Sequence, residues 1–99
     1  MNVHLGDKVI KEVQLIADKY PIKKIILFGS RARGDHSYTS DIDIAVCNFP
    51  HFNNRGKFVS EIEDLDTLLK IDIVFFDEIS NKKLISNIKE EGVIIYERL

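Results

Sequence analysis

An apolar run, Ile25-Ile26-Leu27-Phe28, stops at Gly29-Ser30, and after ten further residues a second apolar segment opens with Asp41-Ile42-Asp43. Both runs read as strands, and the residues at their ends set what the pair can hold. Gly29 can take backbone conformations closed to other residues, so an anion can approach the main chain closely there. Ser30 supplies a hydroxyl and an amide where a short helix begins, and free amides at a helix N-terminus favour negative charge. Arg31 and Arg33 add positive charge, Gly34 lets the chain turn again, and His36-Ser37-Tyr38-Thr39-Ser40 forms a polar loop. Together these groups describe a cradle for phosphates.

In the second strand Asp41 and Asp43 project from one face, about 6–7 Å apart along the backbone, while Ile42 and Ile44 point into the core. Two ionised carboxylates so placed repel one another and resist burial unless a cation neutralises them. Oxygen-only ligands suit Mg²⁺, or Mn²⁺, which keep several waters and bridge to substrate phosphates. A third acid, Asp72, stands near the start of Ile71-Asp72-Ile73-Val74-Phe75-Phe76, an otherwise apolar strand. If that strand lies beside the Asp41/Asp43 strand, three carboxylates converge. Such a set suits two-metal phosphoryl or nucleotidyl transfer, in which ions about 3.5–4 Å apart activate the attacking oxygen and stabilise the leaving phosphate. Asp41 and Asp43 would bridge both ions. Asp72 would complete the ion nearer the nucleophile and help take its proton.

The rest of the chain alternates helices and strands. Val9, Ile10, Val13, Leu15, Ile16 and Ala17 recur with a helical pattern, predicting a helix over 6–19 that Tyr20-Pro21 closes. A second long helix is expected over 57–69, with Phe58, Ile62, Leu65, Leu68 and Leu69 inward and Glu61, Glu63, Asp64 and Asp66 on a solvated face. Strands are expected over 25–28, 42–46 and 72–76, a loop over 48–54, a helix over 81–90, and a last strand or extended tail over 92–96. This order predicts an α/β (α+β) sandwich, a mixed β-sheet flanked by helices on one main side.

Composition narrows the function. Ninety-nine residues, 44% of them apolar, predict one domain over 1–99 that buries about two-thirds of its unfolded surface. A single cysteine, Cys47, rules out an internal disulfide framework and reads as a core or near-core thiol. Neither a signal-type segment nor a long apolar run stands out, which points to the cytoplasm and away from a membrane role. With 14 basic and 16 acidic side chains, a net charge of −2 lacks the positive bias of a protein that grips nucleic acid.

Gly29-Ser30, ten residues, Asp41-Ile42-Asp43 and a later strand bearing Asp72 resemble the minimal nucleotidyltransferases of the DNA polymerase β-like superfamily. The match of Gly-Ser-Arg-Ala-Arg-Gly followed by Ser-Asp-Ile-Asp is close, and with the flanking strands the resemblance covers most of the chain. It implies the polymerase β-like nucleotidyltransferase fold, with Gly29, Ser30 and Arg33 at the nucleotide and Asp41, Asp43 and Asp72 as metal-holding catalytic acids. Two Mg²⁺ ions as cofactor and ATP as substrate follow from the same likeness. Proteins of this group are often paired with a helical partner of the HEPN class as a toxin–antitoxin system, and in some pairs AMP is transferred from ATP to a tyrosine of the toxin. The resemblance therefore implies a hetero-oligomer with such a partner, a homodimer being the other assembly. Larger enzymes of the superfamily carry extra domains that grip the acceptor, whereas here a partner or second subunit would supply it.

Each signal has a plainer reading. A Gly-Ser turn alone is usually only a turn, and an Asp-x-Asp pair alone is usually a solvated strand end; their joint occurrence with Asp72 carries the weight. Arg31 and Arg33 read individually as surface charges, Arg33 being the preferred phosphate contact. Tyr38, His4, His36 and His51 read as surface residues, and Phe49, Phe52 and Phe58 as a local cluster closing the domain. Two other functions stay open: an antitoxin that only masks its partner, and a nucleotidyltransferase acting on small molecules of the antibiotic type.

Overall fold

A computed structural model describes residues 6–35, 37, 40–65 and 67–99. Strands β1 (Ile22–Phe28), β2 (Ile42–Asn48), β3 (Ile71–Phe75) and β4 (Val93–Glu97) form one sheet in the order β3-β2-β1-β4. β1 runs antiparallel to β2 and to β4, whereas β2 and β3 are parallel. The helices are α1 (Asp7–Asp18), the single turn α2 (Ser30–Arg33), α3 (Arg55–Glu63) and α4 (Lys82–Glu91). A parallel pair needs a crossover connection, and α3 lies within the one joining β2 to β3. The expected mixed sheet with flanking helices is the observed architecture.

Alternation along the strands sorts the side chains onto two faces. Ile25, Leu27, Ile42, Ile44 and Val46 join Ile10, Val13, Ile16 and Ala17 of α1 and Phe58 and Ile62 of α3 in the main core. On the other face Ile26 and Ala45 meet Ile88 of α4, with Phe28, Cys47, Val74 and Leu84 around them. Cys47 is thus the near-core thiol expected. The second layer is thinner, and α4 closes it from a well-set start: Asn81 Oδ1 accepts the Leu84 amide at 3.1 Å, a cap worth about 1 kcal/mol. Gly92 then lets the chain pass tightly, since a Cβ there would lie 2.4 Å from Ile26 Cγ2.

Three elements depart from expectation. α1 ends at Asp18, and β1 starts three residues early at Ile22. The helix expected over 57–69 runs instead from Arg55 to Glu63. Its heptad-like leucines continue past the end, yet Leu68 is fully exposed. The chain leaves the helix because Ile42 N donates to Lys70 O at 2.9 Å, fixing where β3 must begin, and strand pairing overrides helical propensity. Leu15 of α1 is also exposed rather than inward. Phe52 and Phe58 are buried as expected, meeting Tyr20 and Phe75 in tilted and edge-to-face contacts with centroids 5.4–6.4 Å apart. Phe49 lies outside that group, stacked on exposed His51 with Lys23 over its ring.

Glu61 is not the solvated acid its neighbours suggest. It accepts from Lys19 Nζ and Tyr20 Oη, joining α3 to the end of α1. Lys19 and then Tyr20 hold its carboxyl below the ordinary 4.5. A depressed acid stabilises the fold above its unfolded value and loses that stabilisation as pH falls through the folded value. Glu61→Gln should therefore melt at a lower temperature than wild type at pH 7, and the gap should close below pH 4.5 in melts recorded across pH 3–7. Among the described residues no helix is long and apolar enough to cross a membrane. His4, His36, Tyr38 and Asp66 lie outside the described residues.

Candidate active site

Gly29 ends β1 with φ +76° and ψ −157°, a conformation essentially confined to glycine. Ala32 N and Arg33 N both donate to its carbonyl at 3.1 Å, starting α2 at once, and Gly34 closes that turn in the left-handed region at φ +90°. Ser30 therefore sits at the head of a one-turn helix beside the strand end. A Cβ on Gly29 would lie 2.6 Å from Asp43 Oδ2, so the turn and the acid-bearing strand meet at van der Waals range. Gly29→Ala should cost about 1–3 kcal/mol for the backbone conformation alone and push the Asp43 carboxylate aside. Thermal melts would show it as a fall of roughly 4–8 °C per kcal/mol.

The parallel register pairs Asp43 with Asp72, flanked by Ile42 with Ile71 and Ile44 with Ile73. Each isoleucine pair faces the core, so the aspartates share the opposite face on adjacent strands. Asp41, exposed, stands two residues before Asp43 at the entry to β2. The structure thus brings together Gly29, Ser30, Asp41, Asp43 and Asp72 at one end of the sheet. Burial pushes the Asp43 carboxyl up from its usual value, Asp72 and Asp41 push it further, and Arg33 opposes them. That mutual repulsion marks the negative charge gathered at this end of the sheet. Among the described residues no group of three acids, histidines or cysteines is gathered for a metal as the side chains stand.

Two cations already lean on the acids. Lys70 Nζ lies 3.3 Å from Asp72 Oδ1, and this contact, reinforced by Asp41, raises the lysine's pKa. Sequence reading overlooked Lys70, although its place two residues before Asp72 puts both on one strand face. Arg33 is exposed on α2, with Nε 3.1 Å from Asp35 Oδ2 and Nη1 3.1 Å from Glu91 Oε2 at the end of α4. It is near enough to Asp43 to favour the ionised form. Arg31 corrects its reading as a surface charge: it is buried and hydrogen-bonded to the loop before Asp41. A separate groove of about 510 Å³, lined by Lys19, His51, Asn53 and Lys57 among others, opens where β1 begins and β2 ends, away from these acids.

Residues 11–99 match the family described as polymerase beta, nucleotidyltransferase. Three proteins of Methanocaldococcus jannaschii, each provisionally named a protein adenylyltransferase, are 35%, 40% and 36% identical to this chain. The alignments cover 86%, 91% and 92% of it and 88%, 97% and 94% of the relatives. A solved toxin–antitoxin structure with AMP-PNP superimposes with a TM-score of 0.71 at 22% identity, over 90% of this chain and 73% of that one. A structure of the MntA toxin–antitoxin pair gives 0.70 at 20% identity with the same coverage, and a provisionally named nucleotidyltransferase of Sulfolobus solfataricus gives 0.58 at 26%, covering 92% and 79%. The Gly29-Ser30 turn, the paired strand acids and the match along nearly the whole chain agree: this chain belongs to the polymerase β-type nucleotidyltransferases.

Proposed function

We propose that the chain transfers AMP from ATP to a hydroxyl of a partner protein, and that it acts as the antitoxin of a pair whose toxin, of the HEPN class, offers a tyrosine. The observation that carries the chemistry is the register of β2 and β3, which sets Asp72 beside Asp43 next to the Gly29-Ser30 turn. The adenylyl group and the protein acceptor are supported by the names of the archaeal relatives, and the partner by the toxin–antitoxin structures that share the fold.

In this reading the amides and hydroxyl at Ser30 and the guanidinium of Arg33 hold the triphosphate with its α-phosphorus toward the acids. Asp41, Asp43 and Asp72 would hold two Mg²⁺ ions, which would supply Lewis acidity at the phosphate and a lowered pKa at the attacking hydroxyl. The acceptor oxygen forms its bond to the α-phosphorus as the bond to the β-bridging oxygen breaks. Pyrophosphate leaves, and Asp72 helps take the hydroxyl proton. The fold leaves Asp41 exposed and Asp72 on the edge strand β3, so an acceptor carried by another chain can reach the acids from the side.

The test is incubation of the purified protein with Mg²⁺, its source extract and ATP labelled at either the α or the γ phosphate. Label from α but not γ on one protein band establishes nucleotidylation and identifies the acceptor. Transfer to a small molecule instead, or no transfer with any nucleotide, overturns the reading in favour of an antibiotic-type enzyme or a masking antitoxin respectively.

A further inference from the structure

Arg31 is 7% exposed, and among the described residues no other charged side chain is as buried. Taking a guanidinium out of water is costly unless its donors are met. Here Nε donates to the Ser40 carbonyl at 3.1 Å and Nη2 to the Ser37 carbonyl at 3.4 Å. The segment so held is closed on itself as well. Ser40 N donates to Ser37 O at 3.2 Å, and Ser37 N to Ser40 Oγ at 2.9 Å. Ser40 immediately precedes Asp41, and Arg31 immediately follows Ser30. One buried side chain thus spans the ten-residue interval between the phosphate turn and the first acid.

We infer that Arg31 is a positioning residue, which fixes Asp41 relative to Ser30 so that metal and phosphates are met together. The inference rests on the reading of Ser30 and the three acids given above. Arginine suits the task because its planar fork can serve two carbonyls at once, whereas a lysine offers a single charged point on a flexible stem. The Ser37 and Ser40 carbonyls it holds belong to the main chain, so it orients the strand entry through the backbone.

The decisive measurement is Mn²⁺ binding by electron paramagnetic resonance, on the full chain with AMP-PNP and no acceptor. Wild type, Asp43→Asn, Arg31→Lys and the core control Val13→Ala are compared, each with a thermal melt. The expected result is tight Mn²⁺ binding by wild type and Val13→Ala, loss in Asp43→Asn, and weakening of about 10- to 100-fold in Arg31→Lys, the range for losing a group that orients a metal ligand. If wild type and Asp43→Asn bind alike, the metal reading fails and the inference goes with it. If Asp43→Asn loses the ion while Arg31→Lys binds like wild type, the positioning role alone is overturned. A merely structural role would lower the melting points of Arg31→Lys and Val13→Ala while leaving both at wild-type affinity. Should Arg31→Lys fail to fold, Ser40→Ala, which removes the Oγ acceptor of the same turn, must weaken Mn²⁺ binding in the same direction. Wild-type affinity in Ser40→Ala would then overturn the inference.

Discussion

Asp43→Asn should abolish the proposed nucleotidyl transfer while leaving the protein folded and any partner complex intact. On the proposed function the side chain keeps its shape but loses the charge that would hold metal, and metal-derived stabilisation of several kcal/mol corresponds to a loss on the order of 10³-fold or more in rate. Stability should move the other way. Burial and the neighbouring Asp72 and Asp41 raise the Asp43 carboxyl, so its ionised form is a burden on the folded state. A raised acid binds its proton more tightly folded than unfolded, and the penalty is full above both values and absent below them. In metal-free buffer Asp43→Asn should therefore melt at or above the wild-type temperature at pH 7, with the difference vanishing as pH falls below the ordinary carboxylate range. Transfer of α-labelled phosphate and parallel melts check both halves. Wild-type transfer by the variant would refute the metal assignment.

Phe58→Ala should be the most damaging single change to the fold. Phe58 is fully buried on α3, with Tyr20, Phe52 and Phe75 about its ring. Deleting a ring from such a setting costs about 3–5 kcal/mol, a large share of the roughly 5–15 kcal/mol that holds a domain together. Denaturant titration should show a lowered midpoint with an unchanged slope. A loss below about 1 kcal/mol, the size of a surface change, would mean that α3 does not depend on this ring. Because α3 lies in the crossover that delivers β3 to β2, the proposed transfer should fall with the folded fraction.

Much of this was legible in the chain because hydrophobic alternation and the acids report on the same strands. Ile42, Ile44, Ile71 and Ile73 announce a core face, and Asp43 and Asp72 interrupt the pattern on the other face, where an acid needs a reason. The end of α3 was not legible. Leu65, Leu68 and Leu69 prolong a helical pattern that pairing of Ile42 with Lys70 overrides, and a long-range bond leaves no local trace. Arg31 was misread for a related reason. Its acceptors are main-chain carbonyls, which every residue carries, so nothing in the composition of the loop singles out the arginine that binds it. Glu61 was misplaced because Lys19 and Tyr20 come from a separate helix end, 42 and 41 residues away respectively.

The pairing of Asp43 with Asp72 has a consequence for how such a site can change over evolutionary time. Successive residues of a strand face opposite ways, so a slip of β3 by one position would carry Ile71 or Ile73 into the acid cluster and press Asp72 into the oil of the main core. The greasy residues therefore act as proofreaders of the acid alignment: an insertion that misaligns the acids also unfolds the protein, and is lost before it can yield a stable but misaligned copy. Length can drift instead between the end of α3 at Glu63 and the start of β3 at Ile71, past the core residues Phe58 and Ile62.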